Sequence, residues 1–319
     1  MPRGLGAAGQ RTPDVVLAVD IGGTTVKGSV FVDGAEATAE RVAPTCEGSS
    51  SSLDTVLAVL STLDQSARSL GHEPTAIGAA SPGFVDTRAG VVRGAVNLGW
   101  TELPLGSILA TRFGVPAAVD HDARTAARAE MALRPDLRDF IFIPLGTGVS
   151  AAVVTAGEMV VGAHGQAGEL GHMPVVPLGR ACSCGELGCL EAYASASAVL
   201  TRYLTAGGSA GSAADVSRLV GEDRLADQVW SEAVQALAKA VVTLTAVLDT
   251  EEFIIGGGLA ASGPILLDPL RRAVAEMLGW RSAPVISASR AGPRAGVLGA
   301  ALLGRSAHLS SAHDDPGEQ

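Results

Sequence analysis

Between Glu169 and Glu191 the chain reads ELGHMPVVPLGRACSCGELGCLE, which gathers His172, Cys182, Cys184 and Cys189 into one short segment. Three thiolates and one imidazole make a complete tetrahedral donor set for a structural zinc ion. Cys182 and Cys184 are separated by one residue, too close for an easy disulfide, yet both can reach one metal. The chain has four cysteines in all, so three beside a histidine form a cluster rather than scatter. The plain alternative is three unrelated cysteines in a loop. A metal with four protein ligands has no position left for substrate. The zinc is therefore expected to fix the loop and to be needed for its order. Chemistry is expected on its flanks, at Glu169 and Glu191, and elsewhere.

A chain of 319 residues, 47% hydrophobic, is long enough for a large core and two domains. VVLAVDIGG (15–23) reads as a buried strand entering a glycine turn, and TTVKGSVFVDG as the returning strand of a hairpin. Apolar spacing predicts a serine-capped helix over 52–71, a strand and turn over 75–83, and strand, sharp turn and helix over 115–134. At 139–160 the layout restarts with an apolar strand, a Gly-Thr turn and a second strand. A long helix at 227–249 follows, then EEFIIGGGLA, a strand opening into three glycines. Helix (263–278), strand (283–289) and helix (296–304) close the chain. Two such cycles imply an α/β protein with two domains around a cleft. The expected division is a smaller domain at 14–121, completed by the helix at 296–304, and a larger one at 122–295 carrying the loop 169–191. Residues 1–13 and 305–319 read as disordered tails.

The formal net charge is −10 and no basic stripe exists, which argues against nucleic acid. The N-terminus has no apolar signal core. The longest apolar run, AVVTLTAVL, falls well short of the roughly 20 residues that span a bilayer. A cytoplasmic protein with no membrane partner is expected.

Several residues suit phosphoryl chemistry. In DIGGTTVKG (20–28) the turn amides can cradle phosphate oxygens, with Thr24 and Thr25 adding hydroxyls. The segment lacks the P-loop order and does not open into a helix as a dinucleotide fingerprint does. Asp20 ends the strand there, where a carboxylate can orient Mg²⁺ or its water. Lys27 is one of only two lysines, with Lys239. An ordinary tight hairpin is the alternative, and the second turn of this kind, LGTG at 145–148, favours phosphate. GGGLA (256–260) offers a flat backbone to a purine or is a plain loop. Asp122 starts a helix, where the macrodipole favours its ionised form. It can take a proton from a substrate hydroxyl, as in phosphoryl transfer to alcohols. It can equally cap the helix, and both roles are compatible if Asp120, His121 or the backbone does the capping. Glu169 and Glu191 suit vicinal sugar hydroxyls. Glu186 reads as surface charge and Cys46 as an incidental thiol.

Taken in order, DIGGTTVKG, SPG with NLGW, DHDA, LGTG, GAHGQAGELGH, CSCGELGCLE and GGG resemble the ROK family (repressors, open reading frames, kinases) over residues 15–304. Within it they are most similar to bacterial ATP-dependent glucokinases. The resemblance implies an actin-like ATPase fold of two ribonuclease-H-like domains closing on sugar and nucleotide. It implies ATP, Mg²⁺ and a structural Zn²⁺, and a homodimer or tetramer. By the same resemblance Asp122 is the base that activates the sugar 6-hydroxyl. Gly83, Asn97, Glu169, His172 and Glu191 line the sugar pocket, and His172 also joins Cys182, Cys184 and Cys189 on zinc. Asp20, Gly22, Gly23, Thr24 and Lys27 form the first phosphate segment. Gly146, Thr147 and Gly148 form the second, and Gly257 and Gly258 the adenosine segment. A regulator of this family binds sugar without catalysis, but adds a helix-turn-helix for which the fourteen residues before Val15 are too few. A metal-dependent sugar isomerase or epimerase using the two glutamates is disfavoured by the closed donor set.

One departure bears on the substrate. Where the family usually has Glu-Asn-Asp-Ala-Asn, this chain has Asp120-His121-Asp122-Ala123-Arg124. The usual asparagine amide both donates and accepts at the sugar, whereas neutral His121 offers one donor and one acceptor at fixed positions. The hypothesis is a substrate other than glucose alone: kanosamine, N-acetylglucosamine, N-acetylmannosamine or a C7-cyclitol. The variant His121→Asn is expected to improve use of glucose in a sugar-kinase assay. An unchanged sugar preference would count against the hypothesis.

Overall fold

β1 (Val15–Ile21) is buried on both faces because its residues are apolar without alternation. Val15, Leu17, Val19 and Ile21 face one cluster, while Val16 and Ala18 face another. The computed structural model describes residues 13–46 and 51–313. The expected tails therefore fall partly outside the described residues, at 1–12 and 314–319. After β1 come β2 (Thr25–Val32), β3 (Ala35–Glu36), β4 (Arg41–Pro44) and α1 (Ser52–Ser69). Ser51 and Asp54 close a reciprocal capping box at the start of α1, as the serine predicts. Next are β5 (Ala76–Ser81), β6 (Phe84–Asp86), β7 (Val91–Ala95), β8 (Trp100–Leu103), α2 (Leu105–Phe113), β9 (Ala117–His121) and α3 (Asp122–Leu133). The sharp turn expected between β9 and α3 has no residues of its own. The helix starts directly at Asp122 with His121 as its N-cap.

The second cycle contains β10 (Phe140–Pro144), β11 (Ala152–Thr155), β12 (Glu158–Met159), α4 (Glu191–Ala194), α5 (Ala196–Thr205) and α6 (Ala213–Arg218). Then follow α7 (Arg224–Leu248), β13 (Glu252–Gly256), α8 (Pro264–Met277), β14 (Val285–Ala288) and α9 (Ala295–His313). One sheet has the order β3-β2-β1-β5-β9 and the other β12-β11-β10-β13-β14. Each is an antiparallel hairpin followed by two parallel strands, so the two predicted cycles are one topology used twice. A separate meander, β6-β7-β8, is inserted between β5 and α2.

The terminal helix of each cycle packs against the other cycle's sheet. Ala123, Ala126 and Ala127 of α3 lie on Phe140 and Phe142 of β10. Val297, Ala300 and Ala301 of α9 lie on Val16 and Ala18 of β1. α9 also seats against β5 and α3 at backbone distance. A Cβ on Gly78 would stand 1.8 Å from the Ala300 carbonyl oxygen, and one on Gly299 would stand 1.7 Å from that of Thr125.

The tail expected from residue 305 is helical through His313. Arg305 and His308 reach back to Asp14 at 3.2 and 3.5 Å. Ser306 and Ser310 return their hydroxyls to carbonyls four residues earlier, at 3.0 Å each, so these polar residues continue the helix. α7 has the length and composition of a membrane span. Its Val229, Trp230, Val234, Leu237 and Val241 are buried in the core beside Leu266, Leu270 and Val274 of α8.

Candidate active site and metal centre

The parallel strands of each sheet end level with one another, and ligands of α/β proteins sit outside such carboxyl ends. Asp20 on β1 pairs with Ala80 on β5, which pairs with Asp120 on β9. Gly22–Thr24, Gly83 and Asp122 therefore crown one rim. On the second sheet Pro144 pairs with Gly256 and Ile255 with Ala288, so Gly146–Gly148 and Gly257–Gly258 crown the other.

In the first glycine turn the Gly22 amide donates to the Thr25 carbonyl at 2.9 Å, and Thr45 braces the Gly22 carbonyl at 2.6 Å. Gly23 and Thr24 stay exposed at the tip. Asn97, two segments away in sequence, comes against this turn: a Cβ on Gly23 would meet Asn97 Nδ2 at 2.8 Å. Lys27 sits opposite Asp20 on the neighbouring strand. The second turn closes with the Gly146 amide donating to the Gly148 carbonyl at 3.0 Å. It is tied to the triple-glycine segment through Leu145, which donates to Gly256 at 2.9 Å and accepts from Leu259 at 3.1 Å.

Asp122 occupies the first position of α3 with 38% of its side chain exposed. The Ala123 amide donates to Asp122 Oδ1 at 2.6 Å and to His121 Nδ1 at 3.3 Å. His121 thus shares the capping, which leaves Asp122 Oδ2 free of that duty. Where Nδ1 accepts the Ala123 amide, the neutral ring carries its proton on Nε2; the same nitrogen lies 3.3 Å from Asp122 Oδ1. Asp20 is held differently. Burial, then the nearby charge of Asp122, push its pKa up to about 7, against the lowering effect of Lys27. A divalent cation beside Asp20 would relieve the repulsion that the Asp122 charge exerts on it.

His172, Cys182, Cys184 and Cys189 converge with all four donor atoms within 4.8 Å of one another. Cys184 and Cys189 sulfurs are 3.7 Å apart, and Cys182 Sγ is 3.9 Å from His172 Nδ1. Zinc–sulfur arms of about 2.3 Å place tetrahedral corners about 3.8 Å apart, so the quartet fits Zn²⁺. Burial pushes the Cys189 thiol up to about 12, so a thiolate there requires the positive charge of a metal. Glu191 follows this knot and accepts the Val149 amide at 2.9 Å, while the Ala196 amide holds the Gly146 carbonyl at 2.8 Å. The expected sugar residue Glu191 therefore also braces the second glycine turn. Glu169 is half-buried, and its carboxylate makes no hydrogen bond among the described residues.

A buried ionic cluster behind Asp122 is absent from the sequence-derived set. Asp120 binds Arg124 at 2.8 Å and Arg128 at 3.0 Å. The sequence showed Asp120 and Arg124 as a departure from the family pattern, but their ion pair left only opposite charge at i and i+4, which the strand-to-helix junction obscured.

Two sheets of one order, each covered by the other cycle's terminal helix, have the actin-like ATPase fold of the solved ROK sugar kinases. Residues 16–307 match the ROK family, and the chain belongs to it. It is 29% identical to a glucokinase of Streptomyces coelicolor over 314 residues, 91% of this chain and 98% of that one. It is 33% identical to an N-acetylmannosamine kinase of Salmonella agona over 298 residues, 90% of this chain and 97% of the relative. The solved ROK glucokinase of Streptomyces griseus, in complex with glucose and AMPPNP, superposes with a TM-score of 0.80 at 29% identity. That likeness covers 92% of this chain and 99% of the other. The chain has the fold and the segment order of the family's sugar kinases.

The raised pKa of Asp20 has a consequence for stability. The folded state holds this proton up to about pH 7, whereas the unfolded chain releases it near 3.8. Asp20 therefore penalises folding increasingly as pH rises from about 4 to 7, and fully above. Asp20→Asn is expected to raise the melting temperature of the ligand-free protein at pH 8, by more than at pH 5. A melting temperature at pH 8 no higher than that of the unsubstituted protein would contradict this placement.

Proposed function

We propose that this protein transfers the γ-phosphoryl group of ATP to the 6-hydroxyl of a hexose-type sugar, with Asp122 as general base. The observation that carries the reading is the division of labour at the start of α3. His121 shares the helix cap while Asp122 keeps an exposed carboxylate at the rim. Asp122 Oδ1 is engaged by the Ala123 amide, so Oδ2 receives the hydroxyl proton. The sugar oxygen then forms a bond to the γ-phosphorus, the bond from that phosphorus to the β,γ-bridging oxygen breaks, and ADP leaves. The amides of Gly23 and Thr24 and of Thr147 and Gly148, which are not used inside their own turns among the described residues, face the phosphates, and Gly257–Gly258 offers a side-chain-free surface to the adenosine. Mg²⁺, when bound, neutralises charge on the transferring phosphoryl group, and Asp20 is the carboxylate placed to orient it.

Sugar hydroxyls are met by Asn97, Glu169, His172, the free oxygen of Glu191 and Nε2–H of His121, with Gly83 at the pocket wall. The closed Cys3His set makes zinc a structural element that orients His172 through Nδ1 and leaves its Nε2 to the sugar. The fixed donor of His121 favours an amino sugar or cyclitol over glucose alone. A cytoplasmic homodimer or tetramer belongs to the same reading, supported by the family resemblance.

Asp122→Asn is expected to lower turnover at least ~100-fold while sugar binding stays largely intact, measured by coupled kinetics and by calorimetry. Turnover near that of the unsubstituted enzyme would remove Asp122 from the role of base.

A further inference from the structure

We infer that Arg124 is a positioning residue of the sugar site, strapping the loop Gly162–Glu169 and the edge of β6 onto the strand end that carries Asp122. Its guanidinium is 1% exposed and touches three segments far apart in sequence. Nε bonds Asp120 Oδ1 at 2.8 Å at the end of β9. One terminal nitrogen donates to the Gly165 carbonyl at 2.9 Å, in the loop after β12. The other points at the Val85 carbonyl of β6 at 3.4 Å. No substrate can reach a group buried this deeply, so it acts through what it holds.

The countercharge is built for this purpose. Asp120 is fully buried and accepts from Thr87 Oγ1 at 2.8 Å and from the His121 amide at 2.8 Å, with Arg128 at 3.0 Å. Burial alone would raise its pKa, but Arg124 and Arg128 hold it below the ordinary value. Asp120 is therefore a fixed anion, and Arg124 is a fixed cation whose two terminal nitrogens each reach a backbone carbonyl, one in a loop and one in β6. A planar fork with N–H groups on three separate nitrogens spans one carboxylate and two carbonyls that the single nitrogen of an ammonium does not reach together. Gly165 completes the fit with φ +72°. Any Cβ there would press on the Val85 carbonyl oxygen at 3.1 Å.

The strap has two outlets. Gly165 lies four residues before Glu169, and Asp120 fixes the amide of His121, whose side chain caps α3 beside Asp122. Neither glycine turn bonds Arg124 among the described residues. Loss of the strap should therefore weaken sugar binding and spare ATP. The inference rests on the reading of this cleft as a sugar site.

The test compares Arg124→Lys with the double variant Asp120→Asn/Arg124→Met, which removes both buried charges and keeps the volume. Both are followed by steady-state kinetics on the best sugar and by amide hydrogen exchange of residues 161–169. The expected result is a KM for sugar raised about tenfold or more, a KM for ATP within about twofold, and faster loop exchange. An unchanged sugar KM in the folded double variant overturns the inference, as does a raised KM with unchanged loop exchange. Faster loop exchange in an enzyme that phosphorylates no sugar would uphold the strap and refute the kinase reading instead.

Discussion

The carbonyl oxygens of Ala300 and Thr125 lie where side chains on Gly78 and Gly299 would otherwise be. This close seating of α9 on β5 and α3 is the contact on which the rest of the site depends. α9 follows the second sheet but covers the first, and α3 follows the first sheet but covers the second. Each half is completed by a helix from the other, which ties the two sheets and their strand ends into one body. Asp20 and Asp122, on the rim of the first sheet, act on each other through charge rather than through a direct bond.

On this frame the chain places three aspartates in three electrostatic settings. Asp120 is buried but kept ionised by two guanidinium groups. Asp20 is pushed toward neutrality by burial and by Asp122, which suits a group awaiting a cation. Asp122 sits at a helix start with one oxygen on a backbone amide and its side chain 38% exposed. The thiol knot serves the same frame from the other side. Cys189 leads directly into Glu191, whose carboxylate grips Val149 beside the second glycine turn. A zinc ion there would order Glu191 and the second glycine turn together.

Much of this was legible in the sequence. Uninterrupted apolar runs ending in glycine marked β1, β10 and β13, and their recurrence gave the doubled topology. The Cys–His quartet was visible because few residue types bind zinc and three of the chain's four cysteines lie together. Other features left weaker traces. The β6-β7-β8 meander has short strands without clean alternation, and α4 to α6 are short helices that depend on packing against α7. The helix through residues 305–313 looked like a polar tail because its serines bond their own backbone and its anchor, Asp14, lies at the far end of the chain. The departure at Arg124 was visible, but its partners Val85 and Gly165 are backbone carbonyls, which no residue type announces.

The central claim is that this cleft joins ATP chemistry to a sugar hydroxyl. It is tested most directly by coupled ADP release with ATP and Mg²⁺ across glucose, mannose, glucosamine, N-acetylglucosamine, N-acetylmannosamine, kanosamine and C7-cyclitols. The account predicts sugar-dependent ADP release, and the member of the panel that raises it most identifies the substrate class. ADP release that no member of the panel raises above the ATP-only background would contradict it.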